Sequence, residues 1–288
     1  MSQTYATAAA FRQALENRLL NLAQAEGVDL HRLRRQVAFD RLLCRLFQQP
    51  TAPWLLKGGY ALELRLAAGR TTRDVDLALC APIGGAGKIT ARILTALQDA
   101  AAVDLGDFFA YTVGGPMKEL AGAPYGGARY SVEARLAGRI YSKFHLDVGA
   151  GDVVLDPADA VHGRDWLGFA GIPAHAFPAI SKEQQFAEKL HAYTLPRGAA
   201  ANTRVRDLVD MYLLVRLGLI PAATRAALVA TFARRAVQAL ENTLPPPPND
   251  WEKPFAALAL ECGVATDLTA AFKVVADFYA SLQVGAVT

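Results

Sequence analysis

The chain of 288 residues is 52% hydrophobic and 20% charged, a composition that is typical of globular proteins and excludes a disordered chain. Its apolar runs are well below the roughly 20 residues of a membrane-spanning helix, and its first residues lack the basic start and apolar core of a signal peptide. We therefore expect a cytoplasmic protein without a membrane partner. Cys44, Cys80 and Cys262 stand far apart among apolar residues, which predicts buried thiols and no zinc site.

Charge is distributed unevenly along the chain, although the formal net charge is only +3. Residues 1–80 carry 11 basic and 7 acidic residues and residues 181–240 carry 9 and 4, whereas residues 81–180 carry 8 and 10 and residues 241–288 carry 2 and 6. If the two basic segments meet in the fold, they would form a surface for a polyanion such as RNA. An ordinary solvated surface of mixed charge explains the counts as well.

The first eighty residues predict three helices and two strands. Apolar residues three and four apart predict a helix from Ala8 to Glu26, ended by a glycine, and a second helix whose apolar positions run to Leu46. The stretch "WLL" at 54–56 predicts a short strand, and residues 60–68 are good helix formers. The alternating segment "RDVDLAL" at 73–79 predicts a second strand.

The rest of the chain divides into a strand-rich part and a helical part. Residues 88–103 predict a helix, and residues 108–155 alternate, with Ala137 and Gly138 as the turn of an antiparallel hairpin. Four helical stretches and a polyproline linker follow: 181–195, 203–217, 221–241 and 251–285, with "LPPPPND" at 244–250. The predicted fold class is α+β, with a mixed sheet flanked by helices in residues 1–175 and a helical domain in residues 176–288.

Two carboxylates, Asp74 and Asp76, interrupt the apolar strand at 73–79. Because side chains alternate along a strand, both acids share one face while Val75 and Leu77 pack on the other. Buried carboxylates are costly without a partner, and hard divalent cations such as Mg²⁺ or Mn²⁺ prefer oxygen ligands. The pair therefore predicts a metal site, whereas Asp76 alone would equally fit an exposed sheet face.

A third carboxylate, Asp147, lies in the later hairpin, where alternation puts it on one face with Tyr141, Lys143 and His145. If this strand lies beside the strand at 73–79, the three carboxylates come together. Carboxylates grouped in this way are typical of sites for two-metal phosphoryl chemistry.

The pair Gly58-Gly59 stands between the first strand and the next helix. Without a Cβ, these residues allow a phosphate to approach the backbone closely, and the helix that they open presents N–H groups to an anion. A strand, a glycine turn, a helix and an acidic strand predict a compact site for nucleotide phosphates.

These residues resemble the polymerase-β-like nucleotidyltransferases. More narrowly, "LKGGYALELRL" with "RTTRDVDL" resembles the AbiEii/MenT group of nucleotidyltransferase toxins of bacterial toxin–antitoxin systems. The segment "EKLHAYTLPRGAAANTRVRDLVDMYLL" at 188–214 is similar to the C-terminal motif of that group. The likeness is good over roughly 35–80 and 140–217.

The resemblance implies a role for each matching residue. Asp74, Asp76 and Asp147 would be the metal ligands, and Lys57, Gly58, Gly59 and Thr72 would bind the nucleotide. Lys189 would bind the nucleotide phosphates, Asp207 would be the active-site acid of the helical domain, and that domain would complete the cleft. An ion pair within the helical domain is the structural alternative for Lys189 and Asp207. The chain departs from the group at Tyr60, where a small hydroxyl residue often follows the two glycines.

The resemblance implies a Mg²⁺-dependent toxin that transfers nucleotides from a nucleoside triphosphate to the 3′ end of tRNA, blocks aminoacylation and stops growth. A cognate antitoxin would restrain it, and we expect it to act as a monomer. Phosphorylation of Thr71 or Thr72 would place about −1.5 to −2 charges beside the acids. Two alternatives are a nucleotidyltransferase acting on a small molecule and a non-catalytic RNA-binding module with the same fold.

Three further signals are weaker. The segment "PIGGAGKIT" at 82–90 lacks the first glycine and the hydroxyl residue of a P-loop, so we expect a flexible loop over the cleft there. The cluster Arg32, Arg34 and Arg35 is either a solvated helix face or an RNA contact. His191 is expected to pack or to line the cleft.

Overall fold

The computed structural model describes residues 5–66, 71–120, 122–198 and 200–283. These residues form nine α-helices and seven β-strands. The helices are α1 Ala8–Glu26, α2 Leu30–Leu46, α3 Gly58–Leu66, α4 Ile89–Ala101, α5 Lys182–Thr194, α6 Val205–Arg216, α7 Pro221–Arg235, α8 Glu252–Glu261 and α9 Leu268–Ser281. The strands are β1 Trp54–Lys57, β2 Asp74–Leu79, β3 Phe109–Glu119, β4 Gly127–Leu136, β5 Arg139–Ala150, β6 Asp159–His162 and β7 Ala176–Ala179.

All seven strands join one mixed sheet in the order β3-β4-β5-β2-β1-β7-β6. The pairs β3–β4, β4–β5 and β1–β2 are antiparallel, whereas β2–β5 and β1–β7 are parallel. This arrangement confirms the α+β class and the hairpin predicted around Ala137 and Gly138. The strands at the centre of the sheet, β5, β2 and β1, carry the residues predicted to form the site.

Contacts between Cα atoms divide the chain into two units. The first draws its described residues from Met1–Arg65, Thr71–Gly151 and Ala160–Ala179, and the second from Leu66–Arg70, Asp152–Asp159 and Ile180–Thr288. The predicted boundary at residues 175 and 176 stays a prediction.

Helices α1 and α2 begin at residues that commonly cap helix N-termini, and α1 ends at a residue that commonly terminates helices. The Thr7 hydroxyl accepts a hydrogen bond from the Ala10 N–H at 3.2 Å, and the Asp29 carboxylate accepts one from the Arg32 N–H at 2.8 Å. Gly27 ends α1 with a φ of +64°, which favours glycine. Apolar residues of both helices are buried in the core of the first unit, among them Phe11 and Phe39, each 0% exposed.

A buried charge cluster ties α2 to the start of β3. Arg41 Nε and Arg45 Nη2 each lie 2.7 Å from a carboxylate oxygen of Asp107, which is 0% exposed. Although burial opposes ionisation, the hydrogen bonds from Arg45 and Arg41 hold the pKa of Asp107 below its usual value. The carboxylate also accepts the Phe109 N–H at 3.1 Å.

Replacing Asp107 with alanine is expected to destabilise the protein by about 3–5 kcal/mol, because the Arg45 guanidinium would stay buried without a counter-ion and Arg41 would keep only the longer 3.9 Å contact to Asp40. Denaturant unfolding measures the change. The control is Glu26→Ala, which breaks an exposed ion pair with Arg164 and should cost about 0–1 kcal/mol. Equal effects of both variants would contradict a structural role for the cluster.

The second unit is helical, as the sequence predicts, but its last stretch is two helices rather than one. Helix α8 ends before Gly263, whose φ of +64° starts the break, and α9 begins at Leu268. Helix α7 is also shorter than predicted, since Ala236 leaves the helix with a φ of +49°. The polyproline segment is held in place because the Tyr193 hydroxyl donates to the Pro245 carbonyl at 2.8 Å.

Two predictions about single residues are wrong. Cys80 is exposed, whereas Cys44 and Cys262 are buried as predicted. Tyr141 is buried in the core against Phe109, because the β4–β5 register shifts by one residue near the hairpin turn and turns this side chain inward.

Candidate active site

The three predicted carboxylates come together on one face of the sheet. Strand β5 lies parallel to β2, and their register places Asp76 beside Asp147 and Asp74 beside His145. Val75 and Leu77, the alternate residues of β2, are 0% exposed and pack on the other face. Burial of Val75 and Leu77 on one face of β2 therefore directs Asp74 and Asp76 to the opposite face.

The glycine turn lies directly against Asp76. Gly58 follows Lys57 at the end of β1, begins α3 and has a φ of +67°. A Cβ on Gly58 would come within 2.1 Å of Asp76 Oδ2 and 2.8 Å of Asp76 Cβ, so a larger residue does not fit. Lys57 is also the register partner of Asp76. The predicted phosphate cradle and one predicted metal acid are thus neighbours.

Arg129 on β4 is part of this group, although the sequence did not indicate it. Its Nε and Nη2 each donate to Asp147 at 2.8 Å, and Nη2 also donates to Asp74 Oδ2 at 3.2 Å. The hydrogen bonds to Asp147 raise the pKa of the Arg129 guanidinium above its usual value. The strand alternation and the hairpin register, which pairs Arg129 with Asp147, are the signals that would have found it.

His145 completes the contacts of Asp74. Its Nδ1 lies 3.1 Å from Asp74 Oδ1. Both oxygens of Asp74 and both oxygens of Asp147 thus contact Arg129 or His145. The Arg129 guanidinium offsets part of their charge, which helps these acids to stay grouped on one sheet face.

The carboxylates fit a hard divalent cation whose remaining coordination positions are filled by the substrate. In the described ranges, no group of three or more His, Cys, Asp or Glu side chains has the arrangement to hold a metal ion by itself. Mg²⁺, however, usually binds one or two carboxylates and fills its other positions with water and substrate phosphates. Asp74 and Asp76 supply such a pair beside the glycine turn, where the missing Cβ of Gly58 lets the Asp76 carboxylate lie against the backbone.

Two other predicted positions are buried. Thr72 is 7% exposed, and its backbone carbonyl accepts a hydrogen bond from Arg35 Nε at 3.3 Å. Tyr60 is 1% exposed, donates its hydroxyl to the Gln36 carbonyl at 3.3 Å and packs edge-on against Phe39. Burial raises the pKa of Tyr60 well above its usual value. Tyr60 is therefore a core residue that anchors α3 to α2, which explains its presence after the glycines.

The second unit holds the other predicted pair. Lys189 Nζ on α5 lies 3.0 Å from Asp207 Oδ1 and 2.8 Å from Asp210 Oδ2, both on α6. Asp210 is 0% exposed, and the Lys189 ammonium group places a positive charge beside it. Arg204 adds a longer contact of 3.6 Å to Asp207. His191, on the same helix as Lys189, packs against Phe232 and burial lowers its pKa to about 4.

The arginine cluster of α2 is engaged in contacts of its own unit. Arg32 pairs with Glu63 and Arg34 with Glu16, each at 2.6 Å. Arg35 donates to Thr72 as described above. These contacts favour a role in packing over the RNA contact considered from the sequence.

Comparison with known proteins gives the class of protein that this fold and site define. The family model described as "Nucleotidyl transferase AbiEii toxin, Type IV TA system" matches residues 41–277. The chain is similar to the structure of MenT4, a nucleotidyltransferase toxin from Mycobacterium tuberculosis, with a TM-score of 0.54 and 16% identity over 94% of this chain and 98% of that one. It is also similar to JHP933 from Helicobacter pylori, with a TM-score of 0.48 and 13% identity over 87% and 91% of the two chains. No curated protein matches the chain.

The protein is a nucleotidyltransferase, and the family match covers most of its length. The chain belongs to the AbiEii family of nucleotidyltransferase toxins of type IV toxin–antitoxin systems. Membership implies a nucleotide substrate, an antitoxin partner and the use of a divalent metal ion. Among the described helices, none is long and apolar enough to cross a membrane.

Proposed function

We propose that this toxin transfers a nucleotide from a nucleoside triphosphate to the 3′ end of a tRNA, with Mg²⁺ or Mn²⁺ as cofactor. The observation that carries the proposal is the meeting of Asp74, Asp76 and Asp147 beside Gly58 on one face of the sheet. The tRNA acceptor is supported by the resemblance of the sequence motifs. Both substrates are cytoplasmic molecules, in agreement with the expected location.

The chemistry is an in-line displacement at the α-phosphorus. The 3′-hydroxyl oxygen of the acceptor forms a bond to phosphorus, the bond to the pyrophosphate oxygen breaks, and the hydroxyl proton is released to water. A divalent cation on Asp74 and Asp76 would neutralise charge on the phosphates. Gly58 and Gly59, with the N–H groups at the start of α3, receive the phosphates that leave.

In this proposal Lys189 binds a phosphate of the nucleotide, and Asp207 holds its ammonium group in position. The 3.0 Å contact between them supports this arrangement, since a lysine fixed by a carboxylate loses little freedom on binding. The transferred nucleotide would prevent aminoacylation of the tRNA and so stop growth, and the antitoxin would restrain the toxin.

Lys189→Ala is expected to lower kcat/KM for the nucleotide at least about tenfold, because one charge-assisted phosphate contact is lost. Steady-state kinetics well below the melting temperature measure this loss separately from the destabilisation that follows when the contact between Lys189 and the buried Asp210 is lost. Lys182→Ala, on the same helix, is the matched control and should keep wild-type kinetics. Unchanged kinetics in Lys189→Ala would make this lysine purely structural.

The acceptor is tested with total tRNA, each α-labelled nucleoside triphosphate in turn and Mg²⁺. The expected result is label on the RNA, and its loss when the tRNA is first oxidised with periodate, which destroys the 3′-terminal diol. Label that appears on a small molecule such as an aminoglycoside, and not on RNA, would overturn the tRNA proposal. Label on periodate-treated tRNA would overturn the 3′ end as the site.

A further inference from the structure

The order of the strands divides the active face into two sides. From one edge inward, the register runs from Lys118 on β3 through Arg129 on β4 and Asp147 on β5 to Asp76 on β2. The glycine turn after β1 lies on the far side of Asp76. Arg129 and Gly58 therefore lie on opposite sides of the acids.

An in-line displacement requires the attacking and leaving oxygens to lie on opposite sides of phosphorus. In the proposed function, pyrophosphate leaves on the Gly58 side. The acceptor must then approach over β5 and β4. Strand β3 is the last strand at this edge of the sheet, so the edge offers a way in for a polymer.

Arg129 has donors left for an anion on that side. Its Nε and Nη2 are fixed on Asp147 and Asp74, whereas Nη1 has no hydrogen-bond partner among the residues that the structure describes. The side chain is 35% exposed. Because one edge of the guanidinium is held by the carboxylates, its orientation is fixed before an anion binds. The two N–H groups of Nη1 can then donate to a phosphate oxygen at little cost in side-chain entropy. Lys118, its exposed register partner on β3, adds positive charge.

A groove of about 410 Å³ lies on the same face and reaches His145, which contacts Asp74. Five of its lining residues are polar: Thr112, Ser131, Glu133, Lys143 and His145. They place hydroxyl and imidazole groups and the Lys143–Glu133 ion pair where sugar hydroxyls and base edges could bind.

We propose that this surface of β4 and β5 is the acceptor subsite for the 3′ end of a single-stranded RNA segment. The terminal nucleotide lies in the groove, and its 5′ phosphodiester binds Nη1 of Arg129. Asp147 then acts as the anchor that aims Arg129. The inference rests on the proposed function and deepens it, because it separates residues that bind the acceptor from residues that bind the nucleotide.

The first test is Arg129→Gln, assayed by steady-state kinetics with both substrates varied. We expect the KM for tRNA to rise at least about tenfold, because a charge-assisted contact is lost, and to rise more than the KM for the nucleotide, which Arg129 affects only through Asp74 and Asp147. The slope of log affinity for RNA against log salt should become shallower by about 0.7, the value for one phosphate of a single strand. The control Arg164→Gln removes another ion-paired arginine, bound to Glu26, and should match wild type.

The second test fills the groove and does not disturb the carboxylates. Ser131 is an exposed strand residue, so Ser131→Trp should fold normally and raise the KM for tRNA without affecting nucleotide binding measured by calorimetry. Thr95→Trp, at an exposed position of α4, is the control that adds the same side chain away from the groove. The subsite is overturned if both active-face variants keep the wild-type KM for tRNA, or if Arg129→Gln raises only the KM for the nucleotide. Failure of wild-type protein to label any RNA would instead overturn the proposed function, and the subsite with it.

Discussion

Asp76→Ala is expected to reduce nucleotide transfer at least about 1,000-fold, which corresponds to roughly 4 kcal/mol of lost transition-state stabilisation. Asp76 is the acid that lies between the glycine turn and Asp147, so its loss removes a proposed metal ligand where the phosphates are proposed to bind. The rate is measured as transfer of label from an α-labelled nucleotide.

The fold should survive this substitution. Asp76 lies close to two other carboxylates, so its removal also relieves repulsion, and we expect the stability to change by less than about 1 kcal/mol. Asp277→Ala, which removes a highly exposed acid on α9, is the control and should keep full activity. Transfer at the wild-type rate by a folded Asp76→Ala protein would contradict the proposed metal site.

Gly58→Ala is expected to impair both stability and activity. The φ of +67° is strained for alanine, and the new Cβ would overlap Asp76. Strain and overpacking together should destabilise the protein by about 2–4 kcal/mol. Displacement of Asp76 by about 1 Å should lower the transfer rate roughly 100-fold.

Gly27→Ala separates these two effects. Gly27 has a similar φ of +64°, but a Cβ there would meet nothing within 4 Å. Only the strain should appear in this variant, as a loss of about 1–2 kcal/mol with unchanged transfer. Thermal unfolding and transfer assays on both variants make the comparison. If Gly58→Ala behaves like Gly27→Ala, close contact with Asp76 is not required for the reaction.

The sequence predicts the parts of the site that follow local rules. Alternation along β2 places Asp74 and Asp76 on one face, and the two glycines identify the turn before α3. Strands β2 and β5 are far apart in the chain, so their pairing could not be predicted from the sequence. It could only be assumed, and the approach of Asp147 to the other acids depended on that assumption. The structure confirms that pairing, whereas the roles of the three acids stay predictions.

What the sequence missed depends on register or on contacts across the chain. Arg129 reaches Asp147 only because β4 and β5 pair in one particular register. The register shifts by one residue between this pair and the hairpin turn, and the same shift turns the Tyr141 side chain inward. Asp107 is 62 residues away from Arg45 in the chain, so alternation and helical periodicity carry no information about their contact. The four-residue strands β6 and β7 are too short to give a clear pattern.

Tyr60 shows how structure changes the meaning of a residue. In the sequence it stands where a phosphate-binding hydroxyl is common in similar proteins. In the fold its ring packs on Phe39 and its hydroxyl donates to a backbone carbonyl of α2. The buried hydroxyl is therefore not available to a phosphate. The tyrosine at this position therefore serves packing in the core of the first unit.

The most direct measurement of the central claim compares two labels on the same nucleoside triphosphate. The protein is incubated with total tRNA and Mg²⁺, and with either the α- or the γ-phosphate labelled. Nucleotidyl transfer predicts that the α-label appears on the RNA and that the γ-label is released as pyrophosphate, both at rates that Asp76→Ala abolishes. Transfer of the γ-label to the RNA, or no transfer of either label with any nucleotide, would contradict the account.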